Sequence, residues 1–138
     1  MSDFNTFLSF AADDAESAAL VQAANGALER FTRAFNARDI GGMDAELHFP
    51  HIICSGSELL VWQSPGQFPK SFFEGLKATG WNETRYEDKK PVLVSKDKVH
   101  FVIVYTRRDA LDRVLSTHTN LRVVTRVGGK WGIAVRSY

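Results

Sequence analysis

Leu47-His48-Phe49-Pro50-His51-Ile52-Ile53-Cys54-Ser55-Gly56 is the stretch on which the reading of this chain turns. Ahead of it the sequence is alanine-rich with helical periodicity. Behind it, apolar and polar residues alternate at strand spacing. Two histidines flank Pro50 at that changeover. A chain passing from helix into sheet there can aim both imidazoles into whatever space lies between the layers.

Working back from the junction, Leu20, Ala24, Ala27, Leu28, Phe31 and Phe35 form one apolar stripe, with Gln22, Glu29, Arg33 and Asn36 on the other side. The spacing predicts a helix from an acidic cap at Asp13-Asp14-Ala15-Glu16, which resembles a capping box, to about Arg38. Gly41-Gly42 is expected to stop it. A short second helix is expected over Met43–Leu47, ended by Pro50. Further back, Phe4, Phe7, Leu8 and Ala11 have the spacing of an amphipathic arm over residues 1–13.

Working forward, His51–Ser55 and Leu59–Trp62 read as strands around a turn at Gly56-Ser57. Pro69 opens a third helix with Phe72, Phe73 and Leu76 inward, and Gly80 closes it. The rest is β. Arg85–Ser95 carries Pro91, a mark of an edge or a bulge. Val99–Arg107 is apolar on both faces, which implies cover on both. Val114–Val127 would extend roughly 46 Å, so it is expected to bend or bulge. Gly128-Gly129 signals a tight hairpin into a last strand with Trp131, Ile133 and Val135 on one face and Ala134 and Arg136 on the other.

Composition sets the class. The 138 residues suit one domain able to bury a core without disulfides or metal. Seventeen basic and sixteen acidic residues leave a net charge of +1, too little for a nucleic-acid footprint. No apolar run is long enough for a membrane span, and the acidic N-terminus does not read as a signal peptide, so the cytoplasm is the expected compartment. Cys54, the one cysteine, is expected to be a buried structural thiol.

This order of elements is α+β. With FTRAFNARD closing the long helix, then HFPHIICSG, then the terminal THTNLRVVTRVGGKWGIAVRSY, the chain resembles the nuclear transport factor 2-like (NTF2-like, cystatin-like) superfamily from about Ala18 onward, and within it the SnoaL-like small proteins. The resemblance implies one domain over residues 1–138, with a curved antiparallel sheet wrapped around three N-terminal helices to make a cone. It also implies a small-molecule pocket inside the monomer and a homodimer through the outer sheet face.

Ketosteroid isomerase-like members of the superfamily use a carboxylate base opposite a tyrosine and a protonated acid. Tyr105 could be the phenol, but no isolated carboxylate stands in an apolar strand: Asp109 and Asp112 fall in a turn, and Asp44 and Glu46 on a helix surface. Scytalone dehydratase-like members use histidines and tyrosines, which His48, His51, His100 and His118 with Tyr105 and Tyr86 match in residue type.

His48, His51 or His118 is therefore the expected base, because imidazole exchanges protons near neutral pH, with Tyr105 as hydrogen-bond donor. The alternative for the first two is a hydrogen bond at the helix-to-strand corner. For His118, among Ser116, Asn120, Arg122 and Arg126 by alternation, it is a solvated or dimer-facing strand. His100 is expected in core or interface.

Phe49, Trp62 and Trp81 are candidates to line the cavity, with core packing as the alternative. Arg136 could clamp a carboxylate or an enolate oxygen, or else pair with a helix acid. No metal and no cofactor are expected. The expected function is a pocket for a small apolar, oxygenated compound, catalytic through cofactor-free isomerisation, dehydration or ring closure. The alternatives are a non-catalytic binder and a dimerisation module.

Overall fold

A computed structural model of the chain describes residues 14–138. The arm expected over residues 1–13, and Asp13 of the capping box, lie outside that range. Three helices, α1 (Asp14–Asn36), α2 (Ile40–Asp44) and α3 (Phe72–Ala78), accompany six strands. These are β1 (Leu47–Ser55), β2 (Glu58–Trp62), β3 (Glu83–Ser95), β4 (Lys98–Arg108), β5 (Val114–Val127) and β6 (Lys130–Ser137). They form one sheet in the order β2-β1-β6-β5-β4-β3. Every neighbouring pair is antiparallel except β1 with β6, which run parallel.

The long helix lies across the concave side of the sheet. Leu20, Ala24, Ala27, Leu28 and Phe31 of the stripe are buried against Val99, Phe101 and Ile103 of β4, and Phe35 is partly buried. Burial of a leucine or phenylalanine side chain contributes roughly 1.5–3 kcal/mol, so this stripe is what holds α1 to the sheet. Asn36 fixes the helix end to β3: its Nδ2 donates to the Thr84 carbonyl (2.9 Å), and its Oδ1 accepts from the Thr84 N–H (2.8 Å).

The corner between α1 and β1 differs from the sequence expectation. Arg38, at φ 57°, turns the chain, and Gly41-Gly42 lies inside α2 instead of ending α1. Asp39 caps α2 by accepting from the Gly42 N–H (3.0 Å). A side chain at Gly42 would sit 2.5 Å from Asp39 Oδ2 and 3.1 Å from Ala34 Cβ, so the glycine serves close approach. Leu47 belongs to β1 rather than to a helix over Met43–Leu47, and Pro50 sits within that strand.

Pro91 does mark an edge, since β3 is the last strand and its register slips between Pro91 and Leu93. At the opposite edge, β2 exposes Leu59, Leu60 and Val61. Cys54 is half-buried and unpaired, not fully buried as expected.

Two strand registers decide what faces the cone. Residues directly opposite each other in an antiparallel pair share a face. Phe101, Ile103 and Tyr105, all in the core, lie opposite Arg122, Asn120 and His118. The polar row of β5 therefore points inward.

On β6 the pairing passes from Val123–Val135 to Val124–Ile133, which leaves Ala134 as an extra, bulged residue. Simple alternation would have kept Ile133 and Val135 on one face. With the bulge, Ile133 and Arg136 share the inner face, and Arg136 stands opposite Arg122.

Candidate functional site

Between α1, α3 and the concave sheet lies a cavity of about 360 Å³. Its apolar wall comes from Phe31 and Phe35 of α1, Ile53 of β1, Trp62 of β2, and Phe68 and Phe72 around α3. These rings pack edge to face: Trp62 against Phe68 at 5.6 Å, Phe68 against Phe72 at 5.2 Å, and Phe72 against Phe35 at 5.9 Å between centroids. Such contacts fix ring positions and leave the space preformed.

The other wall is polar and unusual in its charge. Arg107, Arg122 and Arg136 line it with Tyr105 and Tyr138, and among the described residues no aspartate or glutamate does. Arg122 and Arg136 are only 6% and 5% exposed. Neither forms an ion pair among the described residues. A guanidinium stays cationic in proteins, so two buried positive charges face the hollow without a counter-charge among the described residues.

Their orientation is fixed by neutral groups. Arg136 Nε donates to His51 Nε2 (2.9 Å), and His51 Nδ1 donates to the Ile133 carbonyl (2.9 Å). An imidazole that donates from one nitrogen and accepts at the other is the neutral tautomer. Burial, followed by the Arg136 charge, lowers the His51 pKa to about 3. Arg122 Nη1 donates to the Tyr86 hydroxyl (3.0 Å), which donates onward to the Leu28 carbonyl (3.1 Å).

Both guanidinium carbons lie over the Phe31 ring, at 5.4 and 5.5 Å from its centroid. Arg122 Nε and Arg136 Nη2 are buried with no hydrogen-bond partner among the described residues.

The two lining phenols differ. Burial raises the Tyr105 pKa, so this hydroxyl remains a neutral donor. Burial also pushes on Tyr138, but the charges of Arg136 and Arg122 outweigh it and hold that phenol below its ordinary value. Its hydroxyl lies 3.4 Å from Arg136 Nη1.

The residues picked out from sequence scatter. Tyr105, Trp62 and Arg136 line the cavity. His51 is fully buried one layer behind Arg136, with both ring nitrogens engaged. His48 is on the opposite face of the sheet: its ring lies over Gly132, and its Nδ1 meets Thr125 Oγ1 at 2.8 Å. Burial and Lys130 lower its pKa.

His118 stacks on Tyr105 at 4.9 Å and 17°, and its Nε2 meets Ser116 Oγ at 2.8 Å. Phe49 packs edge-on to His51, away from the lining. Trp81 sits behind the wall, against Phe35 at 5.5 Å, and donates to Thr84 Oγ1 (3.0 Å).

Arg122 and Tyr138 went unselected in the sequence. Arg122 was visible only as part of a polar strand face, and its inward direction required the β4–β5 register. Among the described residues, no three of His, Cys, Asp and Glu come together as a metal site, and no helix is long and apolar enough to cross a membrane.

Comparison with known proteins places this geometry on a familiar scaffold. No family model and no curated protein sequence matches the chain. Among solved structures, a cystatin-like-fold protein of unknown function from Nostoc punctiforme superposes with a TM-score of 0.65 at 12% identity, over 84% of this chain and 86% of that one. A ketosteroid isomerase-like protein from Erwinia carotovora atroseptica gives 0.59 at 17% identity, over 91% and 95%. A candidate scytalone dehydratase from Novosphingobium aromaticivorans gives 0.61 at 14% identity, over 91% and 86%. The fold is the NTF2-like, cystatin-like α+β cone.

Proposed function

We propose that this protein is a small-molecule pocket protein of the SnoaL-like kind, taking a compact, largely apolar and oxygenated ligand into the cone. The observation that carries the reading is the preformed cavity of about 360 Å³, walled by aromatic rings on one side and by hydrogen-bond donors on the other. Pockets of this size and make-up suit small organic ligands, with the few polar groups setting orientation.

Ligand binding is favoured over histidine-led catalysis because of the histidines' surroundings. His51 is neutral and fully engaged, and His48 lies across the sheet. A proton-transfer version of the same site rests on His118, the one candidate base stacked on a lining residue. Burial and the Arg107 charge lower its pKa, which favours the neutral, proton-accepting imidazole. The convex face, with half-buried Val102 and Val104, is proposed as the homodimer surface.

A thermal-midpoint screen of small aromatic acids, amides and alcohols tests the pocket. Compounds that raise the midpoint of the native chain should lose the effect in Ile53→Trp, whose indole would fill the cavity. Shifts that persist in the blocked variant would put the ligand elsewhere.

A further inference from the structure

We infer that the ligand is an organic carboxylate with a flat apolar body, its carboxylate seated between Arg122 and Arg136. This rests on the pocket reading and adds the charge and shape of what enters. The two arginines stand in a juxtaposition that is unfavourable by itself. Arg122 and Arg136 are direct cross-strand partners on β5 and β6, and like charges in that relation repel. Both are more than nine-tenths buried and neither meets a carboxylate among the described residues. Burial of a charge is strongly unfavourable unless a counter-charge accompanies it, and here the counter-charge must come from outside the described chain.

The geometry also says which anion. His51 takes the Nε–H of Arg136, so the free Nη2 is left to donate, with Nη1 turned to Tyr138. On Arg122 the Tyr86 hydroxyl takes Nη1 and leaves Nε free. Stacking of both cations over Phe31 adds to this positioning. Planar guanidinium forks match the two oxygens of a carboxylate, and charge-assisted bonds of this kind are roughly twice as strong as neutral ones.

The rest of the wall is Phe35, Ile53, Trp62, Phe68 and Phe72, which suits a flat hydrocarbon body rather than a hydrated phosphate ester. His51 acts here as a positioning residue. Its fixed tautomer makes it an acceptor for Arg136 and keeps it from adding another positive charge beside that guanidinium.

The test is calorimetric titration of the whole chain with benzoate, cinnamate and 2-naphthoate beside the matching amides, and with 2-naphthalenesulfonate. At least one carboxylate should bind tenfold or more tightly than its amide, and the sulfonate, with its tetrahedral anion, more weakly than 2-naphthoate. Arg136→Met should reduce carboxylate affinity by about tenfold or more and amide affinity by a clearly smaller factor, because a charge-assisted bond is lost in the first case and a neutral-acceptor bond in the second. Arg122→Met should act likewise, which guards against one variant failing to fold.

Equal affinity for acid and amide would overturn the carboxylate inference and leave the pocket standing. Tighter binding of the sulfonate would overturn the planar-anion part. Binding of amides alone, or of nothing in either series at millimolar concentration, would also overturn the inference. In that last case the pocket reading falls with it only if the broader midpoint screen is silent too.

Discussion

Arg122→Met should make the ligand-free protein more stable, an outcome opposite to that of most buried substitutions. The side chain is 6% exposed, so its charge carries a desolvation penalty of several kcal/mol, with no carboxylate among the described residues beside it in compensation. Against that stand one hydrogen bond to the Tyr86 hydroxyl, about 1.5–3 kcal/mol for a charged donor, and the stacking on Phe31, about 0.5–2 kcal/mol.

Methionine fills similar space with an adaptable apolar chain, and Tyr86 keeps its bond to the Leu28 carbonyl. Replacing a buried ionic group by an apolar one stabilises by about 1–4 kcal/mol in favourable cases, so a gain of about 1–3 kcal/mol is expected. At about 3 °C per kcal/mol for a domain of this length, the midpoint should rise by roughly 3–9 °C. Urea titration at neutral pH, with m unchanged, gives the free energy directly. Destabilisation by more than about 1 kcal/mol would refute the reasoning, because Arg122 would then be a structural strut and not a ligand-facing charge held at a cost.

Acid should weaken the fold before the carboxylates titrate. The His51 pKa falls to about 3 in the folded state against an ordinary 6.5, so the unfolded chain takes the proton first. Stability from this group is complete above about pH 6.5 and declines as pH drops toward 3, at about 1.4 kcal/mol per unit. A midpoint series from pH 7 to 4.5 should show that slope, and His51→Gln, which can also donate and accept, should flatten it; an unchanged slope would remove His51 as the source. Gly132→Ala should destabilise by about 1–3 kcal/mol, because the new methyl would lie 2.8 Å from the His48 ring on the outer face. Denaturant unfolding checks this, and adding His48→Ala should recover part of the loss.

The fold was largely legible in the residues, and the site only in part: Tyr105, Trp62 and Arg136 line the cavity, while the histidines do not. The stripe from Leu20 to Phe35, the Gly128-Gly129 hairpin and the alternation of Val99–Arg107 each report a local period that burial enforces, and each stands where it was expected. Arg136 was selected by residue type, but its inward face was not legible, because one bulged residue, Ala134, reversed it and nothing in the local pattern marks a bulge there. The inward turn of Arg122 depends on pairing between distant strands, which alternation alone does not fix.

His48 and His51 lie three residues apart, and alternation along β1 puts them on opposite sides of the sheet. Reading that from the sequence required the strand to begin at Leu47, ahead of Pro50, and not after it. Chemistry was therefore visible as residue type, while its placement needed the register.

The most direct measurement is an isotope-filtered NMR experiment on methyl-labelled protein with 2-naphthoate, reading contacts from ring protons to individual methyl groups. Ile53 lines the cavity, whereas Val102 and Val104 lie on the outer face of β4. Contacts to the Ile53 methyls, lost in Arg136→Met at the same ligand concentration, are the predicted result. Contacts to Val102 or Val104 without Ile53 would place the ligand outside the cone and contradict the account.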